Sequence, residues 1–314
     1  MRFLVLFFFS ILMFSCYEDS EFFIPHDEEG PLESLKSLIP STSDILQIDN
    51  GEDHVIVTDY NVQLLVESGT FLSKAEASDI SYQLHLIEMK NYADFMLHNN
   101  DHYTGDKIYS PFYSIYVDAS LNSNSLDLQT GEKLVVRVPS QEPVEELVLG
   151  RGMVNQNKLV FDYNIDGLVD DFSYTGWTST SPDGTETIEY GYEFELGKPG
   201  WYSLASPVNN TRGDFEFCIS VPDQFDKSNT LVYLLSSDFN FITRMNSDDY
   251  NPSFCSSELM LHEGGGVKLI TISKIEDQYY FSENQVIITD NGLDISINPS
   301  LIKESELKQR ILSL

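Results

Sequence analysis

Ile80-Ser81-Tyr82-Gln83-Leu84-His85-Leu86 alternates apolar and polar side chains with a period of two. Successive side chains of an extended chain point to opposite faces, so this stretch predicts a strand with one face in a core. The same period recurs on both sides of it. Upstream lie the short apolar runs His54-Val55-Ile56-Val57-Thr58 and Val62-Gln63-Leu64-Leu65-Val66. Downstream lie Tyr113 to Ala119 and Lys133 to Pro139, the latter entered through Gly131-Glu132. Asn91 to Leu97 interrupts the pattern with a helical turn that puts Tyr92, Phe95 and Met96 on one side.

A second block of strand-like sequence begins near Ile188. Tyr190 to Leu196 and Phe215 to Val221 alternate, and Thr230 to Leu235 is a continuous apolar run. Val267–Ile272 and Tyr279–Phe281 follow, joined through Glu276-Asp277. Gln285–Thr289 and Leu293–Ile297 flank Asp290-Asn291-Gly292, which predicts a hairpin between them. Asn298-Pro299 then predicts the start of a terminal helix from about Ser300 to Leu314, because proline is tolerated where the amide would be unpaired. The fold class read from these signals is mainly β. It comprises two β-sandwich-like domains in tandem, a C-terminal helix and an N-terminal lipoprotein signal peptide.

The signal peptide rests on the first residues. Met1-Arg2 precedes an apolar run from Phe3 to Phe14, then Ser15 and Cys16. The run is shorter than the roughly 20 apolar residues that span a bilayer. One basic residue ahead of it and a small residue before the cleavage point fit a secretory signal. Met13-Phe14-Ser15-Cys16 resembles the bacterial lipobox, which implies a lipid on Cys16. The acidic stretch Glu18, Asp19 and Glu21 resembles the export signal that sends Bacteroidetes lipoproteins to the outer face of the outer membrane. The domain limits expected are a signal peptide at 1–15, an acidic tether at 16–45 and a first β-domain at 46–150. A linker at 151–187 and a second β-domain with the helix at 188–314 complete the chain.

Charge narrows the partners. The 314 residues carry 50 Asp and Glu against 18 Lys and Arg, a net charge of −32. Nucleic-acid binding needs a basic footprint, which this balance excludes. The acidity reads either as solubility of a surface-exposed body or as cation binding at clustered carboxylates.

Four residues form the candidate cation site: Asp162, Asn164, Asp166 and Asp170. Oxygen-bearing side chains at every second position before Gly167 match the first half of a calcium loop. The twelfth position is Ser173 instead of a bidentate Glu, which argues against an EF-hand; the alternatives are a structural Ca²⁺ loop and a surface turn. No other cofactor is expected. Cys218 and Cys255 form a candidate disulfide in an oxidising compartment, or else two small side chains in apolar surroundings. His98 and His102 share a spacing, but Asn99 stands where a zinc protease needs Glu. Trp177 and Trp201 read as core residues or as a carbohydrate-stacking surface. No catalytic residue is assigned.

Most of the body resembles a group of uncharacterised Bacteroidetes surface lipoproteins, over roughly residues 50–314. The residues that carry the likeness are Asn61 to Leu72, Ile87 to Leu97, Gly200-Trp201-Tyr202-Ser203-Leu204 and Glu304 to Leu307. The resemblance implies a first β-domain like the ZU5 domain and a second β-domain with a Gly-Trp-centred segment. It brings no catalytic residues. The functional expectation is a non-enzymatic, lipid-anchored protein of the outer membrane, exposed at the cell surface. Its partners would be the membrane, through the anchor, and envelope proteins or glycans. The alternatives are an accessory glycan-binding lipoprotein in nutrient capture and a hydrolase.

Overall fold

The computed structural model describes residues 35, 38–39, 43–72, 80–101, 103–104, 107–155, 158–163, 172–180, 184–208, 214–236, 238–247, 253–260, 264–289 and 293–314. The chain is mainly β, with a short helix at Tyr92–Leu97 and a C-terminal helix at Glu304–Leu312. Among the described residues four sheets hold the strands.

The first sheet has nine strands. Seven form its path, Ser43–Asp49, Ser81–Met89, Lys107–Leu121, Gly200–Pro207, Val148–Asn155, Lys158–Asp162 and Asn100–Asp101, and Tyr103–Thr104 and Asn124–Ser125 pair with Lys107–Leu121 beside it. The second sheet has five: Ser173–Thr180, Glu186–Leu196, Leu134–Pro139, Gln63–Val66 and His54–Val57. The third has four: Asn246–Ser247, Phe254–Met260, Asp214–Ser220 and Leu293–Ser296. The fourth has five: Phe241–Arg244, Thr230–Ser236, Gly266–Ile275, Gln278–Ile287 and Ser300–Ile302.

Alternation along the strands decides how the sheets stack. Tyr82, Leu84 and Leu86 pack with Leu64, Val136 and Phe194 of the second sheet, forming the first sandwich. Ile87 and Met89 of the same strand turn the other way, into a core shared with Tyr233 and Ile270 of the fourth sheet. Val232, Leu234 and Leu269 of the fourth sheet face Ile219 and Phe254 of the third, forming the second sandwich. The two sandwiches therefore sit back to back around a third core. This explains Thr230–Ser236, which is buried at every position because both of its faces are covered.

The joint between the sandwiches also carries polar contacts. Tyr92 OH donates to the Ser236 carbonyl at 2.9 Å, and Asn240 Nδ2 donates to the Pro111 carbonyl at 2.9 Å. Arg244 Nη1 donates to Asn99 Oδ1 at 3.2 Å. The Tyr92–Leu97 helix is set in this joint by a capping box. Asn91 Oδ1 accepts from the Asp94 amide at 3.0 Å, and Asp94 Oδ2 accepts from the Asn91 amide at 3.3 Å.

Several boundaries differ from the sequence reading. The expected linker at 151–187 and the start of the second domain at 188 both fall inside the first sandwich. Glu186–Leu196 pairs with Leu134–Pro139, and Gly200–Pro207 pairs with Lys107–Leu121. The first sandwich thus continues to Pro207 and the second begins at Asp214. The reason is that Glu186–Leu196 and Gly200–Pro207 are both interior strands of their sheets, paired on each side with strands of the first sandwich, although they lie far along the chain.

The expected tether at 16–45 is also too long. Ser43–Asp49 pairs with Ser81–Ile87, and Leu35, Leu38 and Ile39 are buried in the joint. Full burial of such an aliphatic side chain contributes about 2 kcal/mol over exposure.

The hairpin expected around Asp290-Asn291-Gly292 does not form between its flanking strands. Leu293–Ser296 crosses to the third sheet and pairs in parallel with Asp214–Ser220. The turn residues themselves lie outside the described residues. Ser300–Ile302 is an edge strand on Gln278–Ile287, and the helix starts only at Glu304. Ladder hydrogen bonds to that open edge outweigh the helix-start signal of Pro299. The Glu276-Asp277 turn does join its strands, with Ile275 opposite Gln278 and Glu276 at φ 54°.

Candidate functional site

Cys16, the expected lipidation site, and its neighbours lie outside the described residues. Of the four candidate calcium ligands, Asp162 closes the strand Lys158–Asp162, directly opposite Arg151. Asn164, Asp166 and Asp170 lie outside the described residues, as does His102. Among the described residues no group of His, Cys, Asp and Glu has the arrangement of a metal site.

Cys218 and Cys255 form a disulfide, with Cα atoms 4.2 Å apart. They are direct partners on neighbouring antiparallel strands of the third sheet. Ile219 and Phe254, next to them, face the core, so the disulfide lies half-buried on the outer face.

Both tryptophans are 5% exposed, so neither offers an open stacking surface. Trp201 lies in the joint, its ring 5.0 Å from Tyr116 and 5.5 Å from His98. Trp177 lies on the outer face of the second sheet. Its Nε1 donates to Glu189 Oε2 at 3.3 Å, and the Arg137 guanidinium sits 5.7 Å from its ring centroid. Arg137 is held in turn by Glu193 at 2.6 Å.

Among the described residues the most open aromatic ring is Tyr190, 54% exposed. It lies nearly parallel to Tyr174, with centroids 6.5 Å apart and an interplanar angle of 15°. A Cβ on Gly176, its cross-strand partner, would stand 3.0 Å from the Tyr190 ring. Glycine at 176 thus lets the ring lie flat over the strand. Ile188, exposed beside it, extends the apolar surface.

A polar network that the sequence reading passed over sits at the end of the strand Ser81–Met89. Glu88 is 3% exposed. Its Oε1 accepts from Thr58 Oγ1 at 2.6 Å and from Tyr113 OH at 2.5 Å. Burial pushes its carboxyl above the usual glutamate range, while the Thr58 and Tyr113 hydroxyls and the Tyr60 amide pull it back. Asp94 accepts from Tyr60 OH at 2.7 Å and from the Lys90 amide at 3.0 Å. Burial and the Asp94 bond push the Tyr60 phenol well above its usual value. Every proton donor named here points at a carboxylate within the fold. The signal in the sequence is Glu88 itself, an acid on the face of Tyr82, Leu84 and Leu86.

A shallow depression of about 530 Å³ lies where the edge strand Ser300–Ile302 turns into the C-terminal helix. Asp277, Tyr279, Leu301, Lys303 and Glu304 line it, so its rim is acidic with one cation. Among the described residues no helix is long and apolar enough to cross a membrane. A scan against protein-family models finds no match for this chain, and a search of the curated proteins finds none.

Proposed function

We propose that this chain is a lipid-anchored protein of the bacterial outer membrane that acts by binding or scaffolding at the cell surface. The observation that carries the reading is Cys16, placed after an apolar run of signal-peptide length and before an acidic start. Two features of the body support it. The sandwiches share a third core, which suits a rigid spacer more than a cleft-closing enzyme. The buried acids Glu88 and Asp94 are bonded into the fold instead of converging on a cavity. The resemblance to Bacteroidetes surface lipoproteins agrees with this reading.

The test is labelling with radioactive palmitate, followed by fractionation and protease shaving of whole cells. The parent protein is expected to carry label, to sediment with the outer membrane and to be shaved. The Cys16→Ala protein is expected to lose label and become soluble. A Cys16→Ala protein that stays membrane-bound, with an unlabelled parent, overturns the reading.

A second reading, accessory glycan binding, is favoured by the flat Tyr190 ring beside Tyr174. Affinity electrophoresis through soluble polysaccharides tests it. Retardation that disappears in Tyr190→Ala supports glycan binding, and equal mobility of both proteins in every gel rejects it.

A further inference from the structure

Leu35, Leu38 and Ile39 are 2%, 3% and 4% exposed, although the sequence around them reads as acidic tether. The Leu38 and Ile39 amides both donate to the Leu35 carbonyl, at 2.9 and 3.0 Å. That turn gathers the three apolar side chains into one compact knob.

The core that receives this knob belongs to neither sandwich alone. It contains Met89 and Trp201 from the first sandwich and Tyr233 and Ile270 from the second, with Leu307 of the C-terminal helix. The strand Ser43–Asp49, which follows the knob, is paired only into the first sheet among the described residues. The knob thus hangs from the first sandwich and fills space against the second.

We propose that Leu35, Leu38 and Ile39 form a strap that closes the joint between the two sandwiches. Apolar side chains held by one body and buried against another add to the contact between them without adding to the fold of either. Peeling the strap away would expose Trp201 and loosen the two sandwiches from each other while each keeps its own core.

The two tryptophans make this measurable, since Trp177 lies on the far face of the first sandwich and Trp201 in the joint. The full chain carrying Trp177→Phe reports on the joint through Trp201 fluorescence alone. In that background, Leu35→Asp with Leu38→Asp is expected to raise acrylamide quenching of Trp201 at least threefold, with the far-UV strand signal retained. It is also expected to split thermal unfolding into two transitions. Val57→Asp, an exposed position of the second sheet, serves as the control that leaves quenching unchanged. Leu38→Ala, which buries no charge, is expected to move quenching the same way by a smaller factor. A Leu38→Ala chain with Trp201 as shielded as in its parent overturns the proposal, whether or not the aspartate variant folds.

Discussion

The phenol of Tyr113 donates to the carboxylate of Glu88 at 2.5 Å in a site that also receives Thr58 and lies out of contact with water. Two strands of the first sheet are bonded here to the turn that joins His54–Val57 to Gln63–Val66 in the second. Tyr113→Phe removes one of these bonds from a buried charged acceptor and is expected to cost about 2 kcal/mol in urea unfolding.

Glu88 also makes a pH prediction. Burial raises its folded value above that in the unfolded chain. The folded state then holds the proton to higher pH, so this contribution is full in acid and lost as pH rises through the folded value. Glu88→Gln does not titrate. Its stability relative to the parent is expected to improve steadily in urea melts taken from about pH 4 to about pH 7. A difference that stays flat with pH rejects the assignment.

The disulfide closes a loop between residues 37 apart in sequence. Loop-closure entropy puts its contribution at about 4 kcal/mol. The double replacement Cys218→Ala, Cys255→Ala is expected to lower the thermal midpoint of the second sandwich. If the midpoint is unchanged, the cross-link adds nothing to a pair of strands already in register.

Gly191 tests the close approach of strands in the second sheet. A Cβ there would overlap the Val138 carbonyl oxygen and stand 2.8 Å from both Pro139 Cα and Trp177 Cη2. Backbone atoms cannot swing aside, so Gly191→Ala is expected to cost about 3 kcal/mol. Gly197→Ala, with no heavy atom within 4 Å of its Cβ, is the matched control. Its stability is expected to stay within about 0.5 kcal/mol of the parent.

Thr271 and Ser282 face each other across the ladder of the fourth sheet. Their buried hydroxyls have no hydrogen-bond partner among the described residues. Thr271→Val loses no protein hydrogen bond and removes a desolvated hydroxyl. Thermal melts are expected to show equal or higher stability, by up to about 1 kcal/mol.

Much of the secondary structure could be read locally. The period-two runs around Tyr82, Phe194 and Val136 became strands with those residues inward, and Asn91 capped the short helix. The Glu276-Asp277 turn was readable for the same reason, because a two-residue connection is fixed by its own dihedrals. The candidate site was less legible. Tyr190 shares the inward parity of Tyr192 and Phe194, yet it reaches solvent, and periodicity cannot tell where a sheet outruns its core. Glu88 shows in the sequence only as an acid on the inward face of Tyr82 and Leu84, and its partners Thr58 and Tyr113 come from distant segments.

Alternation and composition by themselves determined a mainly β, strongly acidic chain, because side-chain period and charge are local properties of the sequence. Tertiary structure alone decided which strands are neighbours. Leu293–Ser296 left its apparent hairpin for the third sheet, and Glu186–Leu196 joined the first sandwich instead of opening the second. Ladder hydrogen bonds form equally well with any extended partner, so the choice falls to which pairing buries both faces. Leu35, Leu38 and Ile39 follow the same logic. Their i, i+3, i+4 spacing fits a single helical turn, and only the space between two sandwiches gives that turn a core.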